Sequence, residues 1–394
     1  LLGKKRSKGL LALCVALNLA SLVVFKYAGF LVENCNALFG AAFRVPQISL
    51  PIGISFYTFQ ALSYSVDVYR KDVGVQRSYW KFLLYVSMFP QLIAGPIVRY
   101  VDVAAQIESR ESDPENVFRG VTRFCVGLGK KVLLADHVGQ VADQLLGGSF
   151  TGATTLGIWL GALMYMFQIY FDFSGYSDMA IGLGRIFGFR YMENFKLPYT
   201  SKSITEFWRR WHISLSSFFR DYVYIPLGGN RRHVYLNLFI VGALTGLWHG
   251  ASWNFLLWGL YFGVLLIVEK LWLGRRIERW PVPLQHAYAL FLVAVSWAVF
   301  AVEDFSQLGP YLGAMFGFAG GGAFDGAFFY YLRSYLPTLV LACAASTPLA
   351  AGLWRRLPER VWKAALPVLL LCVLLLSTAY LVDATYNPFL YFRF

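Results

Sequence analysis

Long apolar runs recur along the chain and alternate with short polar segments. A helix that crosses a membrane needs about 20 mostly apolar residues. The run from 78 to 98 is interrupted by Pro90, Gly95 and Pro96, so it is predicted to form a re-entrant or interfacial element. We predict nine spanning helices elsewhere, at roughly residues 10–32, 50–69, 119–146, 154–186, 234–250, 252–271, 285–302, 336–354 and 362–382.

The Lys and Arg residues predict how these helices are oriented, because cytoplasmic loops of membrane proteins are enriched in them. If the nine runs alternate in direction, the basic clusters all fall on one side, whereas Glu303, Asp304 and Asp325 fall on the other. This predicts a cytoplasmic N-terminus and an outer C-terminal tail, DATYNPFLYFRF. The basic clusters are Lys4–Lys8, Arg70 and Lys71, Arg119 and Arg123, Arg185 and Arg190, Arg231 and Arg232, Lys270–Arg279, and Arg355–Lys363.

The composition is that of a membrane protein. Of 394 residues, 57% are hydrophobic and 14% charged, and the mean hydropathy is +0.52. We therefore predict an all-α, polytopic bundle that forms a single domain over residues 1–394. The net charge of +13 lies in short clusters between apolar runs, a pattern that argues against a nucleic-acid partner. The five Cys residues are scattered and lack CxxC spacing, so no disulfide framework or thiolate metal site is predicted. No cleavable signal peptide is predicted either.

The most polar and aromatic stretch, residues 190–233, is where we expect chemistry. Ser203 and Glu206 have the spacing of a capping box, which predicts a helix that begins near Ile204. We predict one amphipathic helix in or dipping into the cytoplasmic interface. Its apolar face would carry Trp208, Trp211, Leu215 and Phe218, and its charges would be Arg209, Arg210 and Arg220.

Two histidines are candidates for proton transfer. His249 lies near the end of an apolar helix, where an ionisable residue is costly and therefore a functional candidate. The alternative is a structural histidine that donates one hydrogen bond between helices. His212 lies beside the aromatic face, where a satisfied or headgroup-facing histidine is the alternative. Neither has a carboxylate or cysteine at ligand spacing, so no metal site is predicted.

A glycine repeat and a basic loop are two further features of the sequence. Gly242, Gly246 and Gly250 recur every fourth residue, so a neighbouring helix or a substrate can approach closely there. The loop PLGGNRRH, residues 226–233, is either an anion-binding loop or a basic turn that sets topology.

The segment YFDFSGYSDMA carries two carboxylates in an apolar stretch. On a helix, Tyr170, Ser174, Ser177 and Asp178 share one face and predict a polar stripe that lines a cavity, whereas Asp172 points elsewhere. The alternative is that Asp178 only pairs with an Arg or a backbone group in the bundle. The spacing does not make the two aspartates a general acid and base pair.

At WRRWHISLSSFFRDYVYIPLGGN and LTGLWHGASWNFLLWG the sequence resembles the membrane-bound O-acyltransferase family. The resemblance is strongest to the branch that acetylates alginate and covers nearly the whole chain from about residue 22. It rests further on PIGISFYTFQALSYSVDVYR, FPQLIAGPIVRY, YFDFSGYSDMAIGLGRIFGFRYMENFKLPY and the terminal NPFLYFRF. Family members usually carry more N-terminal apolar helices, so further helices are expected ahead of Leu1.

The resemblance implies re-entrant elements around a central tunnel, in a bacterial inner membrane. It implies that His249 is the base that deprotonates the acceptor hydroxyl and that His212 orients the donor or stabilises the oxyanion. The donor would be cytoplasmic acetyl-CoA or another acetyl thioester, with no bound cofactor. The acceptor would be an exported polysaccharide, most simply alginate, or a serine of a periplasmic acetyltransferase partner. Substrate contacts are expected from Asp178, Tyr170, Ser174, Trp208, Arg209, Ser216, Trp248 and Asn254.

Two other functions fit the same sequence. A conduit or scaffold for polysaccharide export would need polar spans but no chemistry. D-alanyl transfer to teichoic acid would keep the enzyme and change the transferred group, since the family members that perform it share the WHG motif.

Overall fold

All regular secondary structure in the described part of the chain is helical. The structure is a computed structural model that describes residue 3, residues 7–302 and residues 304–383. Predictions that concern residues 4–6, Glu303 and the tail from residue 384 lie outside this part. The helices are α1 (Lys8–Phe39), α2 (Ile54–Arg70), α3 (Tyr79–Ser87), α4 (Phe89–Leu92), α5 (Tyr100–Glu108), α6 (114–146), α7 (Thr155–Ile186), α8 (Ile204–Arg210), α9 (Ile213–Phe219), α10 (Val234–His249), α11 (Trp253–Ile277), α12 (Val282–Ala301), α13 (Leu308–Met315), α14 (Gly326–Ser334), α15 (Leu336–Ala345), α16 (Leu349–Arg356) and α17 (Glu359–Asp383).

The chain is a multi-pass membrane protein. Five helices in the described ranges, α1, α7, α11, α12 and α17, are long and apolar enough to cross a bilayer. The runs predicted at 50–69, 119–146 and 234–250 are also helical, as α2, α6 and α10, but fall short of a full span in length or apolarity. The family resemblance and the apolar helices therefore agree on an all-α polytopic bundle.

The predicted span at 336–354 is wrong as a single straight helix. It consists of α15 and α16, which meet at an angle of 77°. Pro348 immediately precedes α16, and proline restricts the residue before it and supplies no backbone N–H to a helix. The chain therefore turns at this proline.

The predicted amphipathic helix is also wrong as one continuous helix. It begins at Ile204 as expected, but it ends at Arg210, and a second helix starts at Ile213. Between them His212 adopts a left-handed backbone, with φ of +43°. The segment around Asn194 packs against this break between the two helices. There the backbone carbonyl oxygen of Asn194 accepts from the N–H of Ile213 at 2.9 Å. The aromatic face is buried in the protein core; it includes Trp211, Leu215 and Phe218.

The capping interaction at the start of α8 is partly as predicted. The Ser203 hydroxyl accepts from the N–H of Glu206 at 3.0 Å. The Glu206 carboxylate, however, accepts from the N–H of Lys202 at 2.9 Å. The buried Glu269 of α11 adds a second cap, since its carboxylate accepts from the N–H groups of Ile204 and Thr205. The N-terminal end of α8 is therefore fixed to α11.

The glycine repeat in α10 allows close packing against α11, as the sequence predicted. A Cβ atom on Gly242 would lie 2.6 Å from the carbonyl oxygen of Gly259, and one on Gly246 would overlap the backbone of Phe255. Small residues at this spacing let two membrane helices approach at backbone distance. The helix that ends in His249 is thereby held tightly along α11.

The interrupted run 78–98 is broken as predicted, into α3, α4 and an irregular segment. Most of residues 90–98 are buried against protein, the setting in which non-helical backbone is tolerated within a membrane. The N–H of Ile97 donates to the Ser214 hydroxyl at 3.0 Å. This contact ties the broken segment to the first turn of α9, next to His212.

Candidate active site

His249 is the last residue of α10, and its imidazole is buried with 5% of its surface exposed. Three aromatic rings meet it edge-on, with centroid distances of 4.9 Å to Trp248, 5.0 Å to Trp258 and 5.4 Å to Phe300. Neither ring nitrogen has a hydrogen-bond partner among the described residues. The alternative of a histidine that bonds between two helices is therefore not what the structure has. A buried donor and acceptor without partners are costly, so a ligand that fills them would gain binding energy.

His212 is completely buried, and one of its ring nitrogens is held by an amide. Its Nδ1 lies 3.2 Å from Oδ1 of Asn194. The same Oδ1 accepts from the backbone N–H of Ser214 at 3.2 Å and from the Ser214 hydroxyl at 2.9 Å. Because a backbone N–H can only donate, the atom facing it must be the amide oxygen. The proton of the neutral ring is therefore on Nδ1, and Nε2 carries the lone pair.

Trp248 brings the two histidines to one place, although they are 37 residues apart in sequence. The His212 ring lies edge-on to Trp248 at 5.8 Å between centroids, and Trp248 contacts His249 at 4.9 Å. Nε2 of His212 has no partner in the described part of the chain. Two buried imidazoles with free nitrogens thus contact one indole, an arrangement suited to handling protons between bound groups.

The predicted polar stripe on α7 lines a cavity of about 440 Å³. Its members Tyr170, Ser174, Ser177 and Asp178 all face this space, which we call the polar cavity. Asp178 lines the cavity and also pairs with two cations of α6, Arg123 at 2.7 Å and Lys130 at 2.6 Å, so the alternative that it only pairs is incomplete. Asp172 points elsewhere, as predicted, and pairs with Lys131 at 2.7 Å.

A hydrogen-bonded path joins the polar cavity to His212. Nδ2 of Asn194 donates to the Ser177 hydroxyl at 3.1 Å, and both residues line the cavity. Asn194 then contacts His212 through Oδ1. The stripe on α7 and the histidine between α8 and α9 therefore belong to one connected polar group.

Trp208 and Ser216 line a second space of about 200 Å³, which we call the apolar cleft, between α8, α9, α10 and α11. The indole N–H of Trp208 and the hydroxyl of Ser216 have no partner in the described ranges. Trp208 meets Trp258 edge-on at 5.8 Å, and Trp258 contacts His249. Two aromatic rings thus separate the cleft from the His249 imidazole.

Of the remaining predicted features, one lies near the site and two lie away from it. Asn254 is buried near the site, where its Nδ2 donates to the Phe300 carbonyl at 3.3 Å and its Oδ1 is unpartnered among the described residues. Arg209 is exposed and lines neither the polar cavity nor the apolar cleft. The basic loop 226–233 lies at the start of α10, the opposite end from His249.

Sequence reasoning missed two residues of this site. Asn194 stands in a segment without helical periodicity, and its role appears only when the loop inserts between α8 and α9. Its position within the quoted motif YMENFKLPY was the available signal. Trp258 lies nine residues beyond His249, and only the close packing of α10 on α11 brings the two together.

Comparison with known sequences agrees with this geometry. A sequence model of the membrane-bound O-acyltransferase family matches residues 52–304, which include both histidines and Asn194. The chain belongs to the membrane-bound O-acyltransferase family. The matched region contains α2 to α12, so the cavities described above lie largely in the part that defines the family.

Three relatives of the chain have names that state an activity. The chain is 48% identical over 316 residues to the "Probable alginate O-acetylase AlgI" of Pseudomonas putida, covering 78% of this chain and 64% of that protein. It is 39% identical over 286 residues to the "Peptidoglycan O-acetyltransferase" of Helicobacter pylori, covering 64% of this chain and 54% of that protein. It is 30% identical over 232 residues to the "Teichoic acid D-alanyltransferase" of Bacillus subtilis, covering 55% of this chain and 58% of that protein. The chain thus spans less than two thirds of the length of these relatives.

Proposed function

We propose that this protein is an O-acetyltransferase of a bacterial inner membrane that transfers acetyl groups to an exported polysaccharide, with alginate as the first candidate. Membership of the O-acyltransferase family and the 48% identity to a probable alginate O-acetylase support this substrate class. The observation that carries the proposal is the His249 imidazole, buried among aromatic rings with both nitrogens free of protein partners.

In the proposed reaction, one nitrogen of His249 accepts the proton of an acceptor hydroxyl as its oxygen attacks the thioester carbonyl. The carbon–sulfur bond of the tetrahedral intermediate then breaks. The thiolate leaves and takes up a proton from the imidazolium, so the base is regenerated. The products are the acetyl ester of the acceptor and a free thiol.

The tautomer of His212 favours one of the two roles expected for it. A neutral imidazole with its proton on Nδ1 has no N–H at Nε2 to offer to an oxyanion. Nε2 can accept a hydrogen bond from an amide N–H or hydroxyl of a bound substrate. We therefore assign His212 to substrate orientation and leave the proton transfer to His249.

The His249 imidazole lines neither the polar cavity nor the apolar cleft, and we propose that substrates reach it through movement of aromatic side chains. Trp208 and Trp258 stand between the cleft and His249. Rotation of these rings would open the site from the cleft, and a closed resting site is common in enzymes that gate access. The unpartnered indole N–H of Trp208 and hydroxyl of Ser216 provide hydrogen-bonding groups along this route.

We further propose that the donor is a cytoplasmic thioester such as acetyl-CoA. Four basic side chains line the polar cavity, and we propose that they bind the phosphates of such a donor, three of them in exchange for the carboxylates with which they now pair. They are Arg119, Arg123, Lys130 and Lys196. The acceptor is the sugar itself or a serine of a periplasmic acetyltransferase partner.

Replacement of His249 tests the proposal. In cells that make the polymer, His249→Ala should lower its acetyl content by roughly 10²- to 10⁴-fold per folded protein, the usual loss for a general base. The matched control is His233→Asn at the other end of α10. His233 is exposed and has φ of +49°, a conformation that asparagine tolerates. The control should keep normal acetylation.

Other outcomes would identify the alternatives. Unchanged acetylation per polymer together with lost export in His249→Ala would contradict catalysis and indicate a conduit. Mass analysis of the modified polymer would reveal D-alanyl groups if the transferred group resembles that of the Bacillus subtilis relative. Labelled donor added to inside-out vesicles would test its cytoplasmic side, because a donor that acts only from the opposite face contradicts the orientation.

A further inference from the structure

A lysine in the first membrane helix contacts the end of the helix that carries His249. Nζ of Lys26 donates to the carbonyl oxygens of Trp248 at 2.7 Å and His249 at 2.9 Å. The hydroxyl of the next residue, Tyr27, donates to the carbonyl oxygen of Leu247 at 2.5 Å. Three consecutive carbonyl groups at the end of α10 are thus bonded to two adjacent side chains of α1.

The end of α10 needs such donors, because the last carbonyl groups of a helix have no partners within it. Helices often solve this with a left-handed residue just after the end, whose N–H bonds back to the last turn. Here Gly250 is extended, with φ of −165° and ψ of 158°, and no backbone N–H of the described residues caps this end. Lys26 and Tyr27 supply the missing donors from another element.

The local geometry of α1 places these two side chains. Residues Val23–Tyr27 form a π-helical turn, and such turns occur frequently at functional sites. Lys26 also donates to the hydroxyl of Ser55 in α2 at 3.3 Å, so it lies where α1, α2 and α10 meet. The side chains of Lys26 and Tyr27, both within this turn, extend towards α10.

The contacts of Lys26 distinguish it from an ordinary structural lysine. It makes no ion pair within the described residues, and its Nζ contacts two carbonyl oxygens and one hydroxyl oxygen. A charged residue in a membrane helix is costly and is usually functional. A cation at a helix C-terminus also interacts favourably with the helix dipole. Its two shortest contacts are with the end of α10, and the Ser55 hydroxyl of α2 is the third.

We infer that Lys26, assisted by Tyr27, is a positioning residue that fixes the terminal turn of α10 and hence the direction of the His249 ring. This inference rests on the proposed role of His249 as the base. Both residues precede the region matched by the family model. Lys26 lines neither the polar cavity nor the apolar cleft, so its loss should impair the reaction step and leave donor binding unchanged.

The test uses full-length protein in lipid vesicles, with acetyl-CoA as donor and a soluble polysaccharide acceptor, and rates expressed per folded protein. Lys26→Met keeps the length of the side chain and removes its donors. It should lower kcat by roughly 10- to 100-fold, because small misplacements of a catalytic group have effects of this size. The KM for the donor should stay within about twofold. Lys26→Arg should recover most of kcat, since guanidinium donors can also reach two carbonyls.

Asn34→Ala is the matched control. Asn34 lies on the same helix and accepts from the indole N–H of Trp253 at 3.0 Å, without contact to residues 247–249. It should keep normal kcat although it removes a contact between α1 and α11. Equal kcat in Lys26→Met and the wild type, or equal losses in the Met and Arg variants, would overturn the inference.

Two further measurements separate the possible failures. If Lys26→Met does not fold, Tyr27→Phe removes a single hydroxyl, and an unchanged kcat in that variant would overturn the positioning role. His249→Ala is measured alongside. Activity in that variant refutes the proposed function itself, whereas inactivity there with normal kcat in Lys26→Met refutes only the role of Lys26.

Discussion

Replacement of Asn194 by alanine should weaken the protein and alter donor binding in a way that can be calculated. Asn194 is 1% exposed, and its Oδ1 accepts from the N–H of Ser214 and from Nδ1 of His212. The Ser214 hydroxyl, which also donates to this oxygen, can rotate to another partner, whereas the alanine variant leaves the other two buried donors without an acceptor. At about 1–3 kcal/mol for each, the free energy of unfolding should fall by roughly 2–6 kcal/mol.

The same change removes the group that keeps the proton of His212 on Nδ1. If Nε2 accepts a hydrogen bond from the donor, its loss costs about 0.5–1.5 kcal/mol of binding free energy. This corresponds to a rise in the donor KM of roughly 2- to 12-fold where KM reports binding. The assay is donor saturation in vesicles, together with thermal unfolding in detergent.

Asn237 provides a control with a similar cost in stability. It is 2% exposed, and its Nδ2 donates to the carbonyl groups of Gly229 and Arg232. It precedes His249 by twelve residues on α10, which is about 18 Å along the helix. Asn237→Ala should therefore unfold more easily with an unchanged donor KM. If Asn194→Ala shows the same behaviour as this control, the assignment of His212 to donor orientation is wrong.

Two further changes test the packing around the site. Gly246→Ala should destabilise the protein by about 1–3 kcal/mol, because the new Cβ overlaps the Phe255 backbone. The control is Gly352→Ala, whose Cβ meets open space and should not destabilise the protein. Thermal unfolding of the two variants compares them. Asp178→Asn leaves Lys130 without its carboxylate partner and should lower the free energy of unfolding. The loss should be smaller than the ~3–5 kcal/mol typical of a fully buried pair, because the Lys130 side chain is 24% exposed. An unchanged unfolding temperature would contradict this prediction.

The sequence was sufficient for features that depend on local composition. Apolar runs of about 20 residues predicted the long helices, and period-3.6 spacing placed Ser174 and Asp178 on one face of α7. The spacing of Gly242 and Gly246 predicted a close helix contact, because the absence of Cβ atoms acts whatever the partner is. These properties are written into short stretches of chain.

Features that depend on distant contacts could not be predicted in this way. The break at His212 requires the inserted segment at Asn194, which is 18 residues away in sequence. The bend between α15 and α16 did have a local signal, Pro348, but a window of apolar residues gave that proline too little weight. Lys26 had a signal as well, since an ionisable residue within an apolar helix is a functional candidate by the rule that selected His249.

The aromatic rings around His249 also bear on wasteful hydrolysis of the thioester donor. A thioester is cleaved by water as well as by an alcohol, and a general base exposed to solvent would promote both reactions. Trp248, Trp258 and Phe300 cover the imidazole and leave 5% of the residue accessible. If the proposed donor and acceptor are correct, hydrolysis of the donor should be slow while no sugar is present, because closed sites prevent such side reactions. The resting enzyme would thus conserve the cell's activated acetate until a hydroxyl is in position.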